Sequence, residues 1–318
     1  MTGETQGTQA SIDPETIEKN PSNPRRYFNE ERLDQLRTSL QEVGVLVPLI
    51  VYKPDPNVEH YVLMDGERRW RCALDLGMDQ VPVNVIPKPS PLDNLLRMFN
   101  IHNVREDWPL ISVTLSLRDV MLISGESRET RLAEMTGLTR STVRRARRLL
   151  TLPDSELQLI QEEAHLDRTK QVHREDLYLE IQAAESVLRK ELPELDDEYD
   201  RPTVIRQFAK KAESGNLPAV TDFRYVSKLV NAIDNDVVDR QSVLDASRKL
   251  VEDESVSPRS VFESVAADAY RQQALQKKAD MLVLDLEGLV EGLRVSGGLR
   301  DRLRRLRSVI DRILDGES

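Results

Sequence analysis

A small α+β domain followed by all-α regions, mostly α overall, is the fold class predicted by this sequence of 318 residues. Three observations predict it. Short β-branched runs alternate with amphipathic stretches between residues 17 and 90. A helix, a glycine and an arginine-rich helix follow one another over residues 129–150. From about residue 154 the apolar spacing is helical, and it closes on two leucine heptad series.

Composition narrows the class. One cysteine, Cys72, excludes an intramolecular disulfide, and the four histidines (His60, His102, His165, His173) lack metal-ligand spacing, so no protein-borne metal site is expected. The first residues lack the basic and apolar regions of a signal peptide, and no apolar run approaches the roughly 18 residues of a membrane span. A cytoplasmic location is expected. The net charge of −10 is unevenly spread: residues 1–152 hold 20 Lys and Arg against 21 Asp and Glu, leaving 25 against 34 for the rest. Residues 128–152 carry seven arginines against two glutamates. Phosphates feel such a local patch, because salt hides charges beyond about 8 Å.

In chain order, residues 1–16 are polar and read as a disordered tail. Asn20 to Arg26 reads as an extended arm, since each residue before proline is pushed out of the helical region. Asn29 caps a helix whose buried stripe is Leu33, Leu36, Leu40 and Val43, ended by Gly44. Val47–Tyr52 and Tyr61–Met64 read as strands around a turn at Pro54–Asn57, and Val81–Ile86 as a third. Ser90, Pro91 and Asp93 start a helix with Leu92, Leu95, Leu96 and Phe99 on its buried face, and Leu110–Ser124 forms the next.

Between the second strand and its helix lies Asp65-Gly66-Glu67-Arg68-Arg69-Trp70-Arg71. A strand feeding a helix through glycine presents unpaired N–H groups and the positive end of the helix dipole to an anion. Helical stepping puts Trp70, Ala73 and Leu74 on one face, with Arg68 opposite and Arg69 and Arg71 flanking it. Arginine suits this place because its planar donors grip phosphate oxygens bidentately. On periodicity alone, a solvated helix with its arginines paired to Glu67 and Asp65 explains the stretch equally well. For Cys72 the expected role is a small half-buried residue.

The second motif runs from Glu129 to Val143. A helix-turn-helix needs a small residue where its helices touch, a glycine at the turn and an apolar lock on the second helix; Ala133, Gly137 and Val143 stand at those offsets. Thr139 caps the second helix, with Ala146 and Leu150 as its other inward residues. Thr139, Arg140, Ser141, Thr142, Arg144, Arg145 and Arg148 are the candidate DNA contacts, since a recognition helix reads base edges with its first turns while arginines neutralise phosphates. Past Pro153 the chain is helical and acidic, with Glu191–Pro202 an acidic loop and His165 and His173 without partners. At the end, Leu275, Ala279, Leu282, Leu286, Leu289 and Leu293, then Leu299, Leu303, Leu306, Ile310 and Ile313 after Ser296-Gly297-Gly298, predict a heptad hairpin. It could dimerise or close on the middle of the chain.

From about Ile17 to Pro153 these motifs resemble, in order, those of the ParB family of DNA-partition proteins. Gly66–Arg71 resembles the family's GERRxR motif, Asn23–Phe28 its NPxQPR arm, Gly44–Val51 its GxxQP-type motif near the nucleotide base, with Val47 in place of glutamine, and Asn100–Trp108 its ENxxREDL segment. The resemblance implies a sulfiredoxin-like fold, CTP with Mg²⁺ as ligand, double-stranded DNA as partner, a homodimeric clamp, and nucleoid or plasmid association. It implies nucleotide contacts from Gly66, Glu67, Arg68, Arg69, Arg71, Asn103 and Arg105, so changing Arg69 to alanine is expected to abolish binding. Ile101 stands where the segment's glutamate would be, and His102 where its asparagine would be. Little or no CTP hydrolysis is therefore expected, and no catalytic residue is assigned. Residues 1–18 hold no Lys or Arg and four acids, unlike the basic peptide with which members stimulate a ParA-type ATPase, so that partner is not expected. The expected divisions are 1–16 as tail, 17–90 for the nucleotide, 91–153 for DNA, 154–270 without assigned role, and 271–318 for self-association. The rivals are a transcriptional regulator on the same scaffold and, further off, a kinase or nuclease of the wider superfamily.

Overall fold

The structure, a computed structural model, describes residues 7–23, 28, 30–103, 108–234, 238–290 and 296–316. The N-terminal part contains β1 (Thr8–Ile12), β2 (Ile17–Glu18), α1 (Glu30–Val43), β3 (Leu49–Tyr52), β4 (Tyr61–Asp65), α2 (Glu67–Asp75) and β5 (Val81–Ile86). The sheet order is β1-β5-β3-β4-β2; β5 pairs parallel with β3 and β2 parallel with β4, while β1–β5 and β3–β4 are antiparallel. The predicted disordered tail is thus partly wrong. Residues 8–12 form an edge strand although four of the five side chains are exposed, because backbone pairing with β5 holds it and composition does not register such pairing.

Alternation along the strands builds two cores. Leu49, Val51, Leu63, Val81 and Val83 face Ala73 of α2, while Tyr52, Val62, Met64 and Ile86 face Met98. Met98 belongs to α3 (Pro91–Asn103), which therefore covers the sheet's second face. The same helix sends Leu95 and Phe99 into a third core with α4 (Leu110–Ser124), α5 (Glu129–Thr136) and α6 (Arg140–Leu149). Asn20 and Asn94, both buried, exchange amide hydrogen bonds at 2.9 and 3.3 Å and tie the arm to α3. Pro24–Arg26 and the cap Asn29 lie outside the described residues. Cys72 is fully buried rather than half-buried, because α1 closes over it with Leu33 and Leu40.

The following helices are α7 (Asp154–Glu163), α8 (Glu175–Glu191), α9 (Glu194–Glu198), α10 (Arg201–Glu213), α11 (Arg224–Asp234), α12 (Arg240–Glu252) and α13 (Pro258–Val265). They share one core that also takes in Ile111 of α4 and Leu149 of α6. The acidic loop expected at 191–202 contains α9, seated by buried Leu195. His173, expected to lack partners, lies 2.9 Å from the Tyr178 hydroxyl through Nδ1 and 3.5 Å from Glu213 through Nε2. The Tyr178 hydroxyl donates to Glu156 at 2.6 Å, and burial beside that carboxylate raises its pKa. These partners are up to 40 positions from His173, beyond the reach of local spacing.

The chain closes with α14 (Ala267–Val290) and α15 (Gly297–Leu314). Gly297 and Gly298 form the first turn of α15 rather than a separate turn, since Ser296 caps that helix by accepting from the Leu299 N–H at 3.4 Å. No described residue of α15 is buried, and Leu275, Leu282, Ile310 and Ile313 are exposed. No helix among the described residues is long and apolar enough to cross a membrane.

The corner joining β4 to α2 sets the geometry of the first site. Gly66 caps α2 at φ 100°, and a Cβ there would lie 2.6 Å from the Leu49 side chain. Both the left-handed backbone and the packing therefore require glycine. Gly66→Ala is expected to lower stability by about 1–3 kcal/mol. An unchanged denaturation midpoint in urea would contradict this account.

Candidate functional site

The helix ladder of α2 begins with the Trp70 N–H on the Gly66 carbonyl at 2.9 Å, so the N–H groups of the preceding turn lie outside that ladder. The Trp70 indole donates to the Pro14 carbonyl at 2.9 Å and holds the opposite face of the helix. Around this end the structure gathers Gly66, Glu67, Arg68, Arg69 and Arg71, but gives the charged side chains distinct tasks.

Glu67 is 9% exposed and accepts from Arg71 at 2.6 and 3.0 Å and from the Asn23 amide of the arm. Arg71 also stacks over the Phe28 ring, 4.2 Å from its centroid. Arg68 reaches the Arg32 carbonyl of α1 at 3.0 Å. Arg69 turns inward to the Val47 and Pro48 carbonyls and to Asp65. The arm residues Asn23 and Phe28 thus join the site. Spacing could not show this, because the Asn23–Glu67 contact spans 44 positions. Asn103 ends α3, and only its backbone is described; Arg105 lies outside the described residues. The thiol of Cys72 donates to the Leu33 carbonyl at 3.6 Å, and its pKa is raised by burial, which suits a packed side chain.

A second surface lies on α6. Gly137 ends α5 at φ 72°, and Thr139 caps α6 by accepting from the Thr142 N–H at 3.1 Å; the two threonine hydroxyls are 2.8 Å apart. Val143, Ala146 and Leu149 face inward. Leu149 takes the place expected for Leu150, because α6 continues into the core formed with α7 and α8. Arg140, Ser141, Arg144 and Arg145 are exposed on the opposite side. Arg144 pairs with Glu129 at 3.2 Å, and Arg147 lies 3.8 Å from the same carboxylate. Both pairs are solvent-washed and weak enough to yield to a phosphate. Arg148 differs, since it donates to the Leu179 carbonyl of α8 at 2.9 Å while Gln182 donates to its own carbonyl at 2.9 Å. The Glu175 carboxylate of α8 accepts from the Ile111 N–H at 3.1 Å. Helices past residue 154 therefore brace α4 and α6 from behind.

Comparison with known proteins follows this layout. Residues 2–103 match the family model described as the ParB N-terminal domain. The chain is 38% identical over 156 residues to the chromosome-partitioning protein ParB of Caulobacter vibrioides, covering 48% of this chain and 49% of that protein. Stage 0 sporulation protein J of Bacillus subtilis is 32% identical over 163 residues, covering 48% and 56%. The chain thus spans about half the length of the curated relatives it matches. Among solved structures, C-terminally truncated ParB from Caulobacter crescentus complexed with CTP-gamma-S is 31% identical, covering 52% of this chain and 92% of that one, with a TM-score of 0.29. The same protein complexed to the centromeric parS site is 26% identical, covering 67% and 96%, with a TM-score of 0.39. Sequence identity rather than superposition carries the assignment: residues 2–103 of this chain are a ParB N-terminal domain.

Proposed function

We propose that this protein is a nucleotide-responsive DNA-binding protein that acts in DNA partition. A nucleoside triphosphate, CTP with Mg²⁺ first among candidates, would sit at the first turn of α2. A specific duplex site would sit against the exposed face of α6. The observation that carries the reading is the presence in one fold of a glycine-entered helix start bearing three arginines and of a basic helix, α6, entered after the left-handed Gly137, joined by α3. The ligands of the Caulobacter crescentus structures, CTP-gamma-S and parS, support each half.

In this reading the N–H groups after Gly66 receive phosphate oxygens, and Arg68 and Arg71 neutralise their charge. Glu67 serves chiefly to orient Arg71, and Asn103 and Arg105 are the further nucleotide contacts that the family resemblance implies. On α6, Arg140, Ser141, Arg144 and Arg145 contact the duplex, Thr139 and Thr142 fix the helix start, and Arg148 fixes its end. The exposed seams of α14 and α15 join two copies, which places two α6 helices on one palindromic site.

Three measurements test this. Mapping the protein along DNA in cells is expected to find it spread over kilobases from a discrete site; isolated promoter peaks would favour the transcriptional-regulator reading instead. Changing Arg144 and Arg145 together to alanine is expected to cost about 1–3 kcal/mol of specific affinity for each base that they read. Unchanged affinity in an interferometry titration would remove these residues from the interface. A chain shortened by residues 271–318 is expected to be monomeric, and a persistent dimer in light scattering would move the dimer interface elsewhere.

A further inference from the structure

We propose that the groove between the end of α6, the middle of α8 and the start of α10 takes a backbone phosphate of the bound duplex, which adds Arg189 and Arg201 to the DNA-contacting residues. This rests on the DNA-binding reading above. The groove has a volume of about 480 Å³, and Arg148, Thr151, Gln182, Ser186, Arg189 and Arg201 line it. Glu185 is the one carboxylate among the described lining residues, so three guanidinium groups meet a single acid. Elsewhere in the acidic helices the arginines are consumed. Arg224, Arg240 and Arg248 each make several hydrogen bonds to one glutamate: Glu180, Glu194 and Glu198 in turn.

Contacts within the groove hold its cations in place without saturating them. Glu185, whose side chain is 5% exposed, accepts from Arg189 Nε at 2.7 Å and lies 3.4 Å from Arg201 Nε. One buried carboxylate thus sits between two guanidinium groups. Arg201 Nη2 donates to the Thr151 hydroxyl at 3.0 Å, while its Nε is buried with no hydrogen-bond acceptor. Asp196, which does not line the groove, pairs with Arg189 from outside. Gln182 donates to the Thr151 hydroxyl at 3.1 Å and to the Arg148 carbonyl at 2.9 Å, so the end of α6 is fixed at the rim. Arg148 gives one Nη2 bond to the Leu179 carbonyl, and a guanidinium carries five donors. Planar donors of this kind match phosphate oxygens.

Helical geometry brings the duplex to this point. Ser141, Arg144, Arg145 and Arg148 stand at i, i+3, i+4 and i+7, one exposed stripe of α6, and Thr151 continues it. From Ser141 to Arg148 the helix rises about 10 Å, while the major groove of a duplex is about 8.5 Å deep. A duplex whose base edges meet the first turn of α6 therefore has its sugar–phosphate rim level with Arg148 and Thr151, where the protein groove opens. Phosphate contacts carry no sequence information, so this groove sets the orientation of the duplex and leaves its reading to α6.

The test uses the full chain, with affinities titrated over a series of salt concentrations. One duplex carries the site recovered by mapping in cells, and a second has that site scrambled. R201Q is expected to flatten the slope of log affinity against log salt by about one, with both duplexes weakened in the same proportion. Ser186 is exposed on the groove, so charges can be added there without removing a buried group. S186R is expected to steepen the slope by about one and tighten both duplexes, and S186E to weaken both. These two variants carry the test if R201Q fails to fold, because a mere disturbance of structure would move both in the same direction. Such a common direction, or an unchanged slope in both, would overturn the proposal. So would a groove that takes only small anions: inorganic pyrophosphate binding, followed by calorimetry, would be lost in R201Q while the duplex slope stayed intact. A wild-type chain that binds neither duplex would remove the DNA reading itself, whereas one that binds both with a slope indifferent to position 186 would remove the groove alone.

Discussion

The two-sided burial of α3 is the constraint on which the arrangement depends. Met98 closes the second face of the sheet, and its neighbour Phe99 lies in the helical core with Leu95. Adjacent residues on a helix point about 100° apart, so one helix serves two cores only if both flanks are apolar. Leu92, Leu95, Leu96, Met98 and Phe99 meet that need. The two parts of the chain are therefore packed through shared side chains and not merely linked. The reciprocal amides of Asn20 and Asn94 add a polar fastening to the same helix.

Charge is distributed with matching economy. Of the arginines in the α2 motif, Arg69 is enclosed and neutralised by Asp65, while Arg71 is steered by Glu67 and by the Phe28 ring. On α6, Arg144 and Arg147 share Glu129, and Arg148 is fixed to α8. A formally basic motif is thus part scaffold and part ligand surface. Counting arginines overstates the charge available to a ligand, because a guanidinium seated on carbonyls serves the fold first.

Much of this was legible in the residues. The strands at 81–86 and 61–64, the stop at Gly44, the αL glycine at 137 and the cap at Thr139 follow from local chemistry, and local chemistry decided them. Features that depend on distant partners were not legible. β1 exists because β5 offers a free edge, Asn23 meets Glu67 across the fold, and Arg69 turns inward because a proline-bearing loop lies beside it. Helical stepping gave Arg69 a flanking place but could not say that carbonyl oxygens would claim it. The misassignment of Leu150 for Leu149 has the same origin, since the core that chooses between them is built by helices far along the chain.

The chain has two tryptophans, one in the core between the sheet and α2 and the other at the helical core that α3 enters. Trp70 sits under the arginine motif with its indole N–H on the Pro14 carbonyl, and Trp108 rests 5.7 Å from Phe99 where α3 meets the helical core. The molecule therefore carries its own pair of optical reporters. With either one changed to phenylalanine, the emission of the other follows a single side, so a ligand added at one end can be watched for its effect at the opposite end without any attached dye.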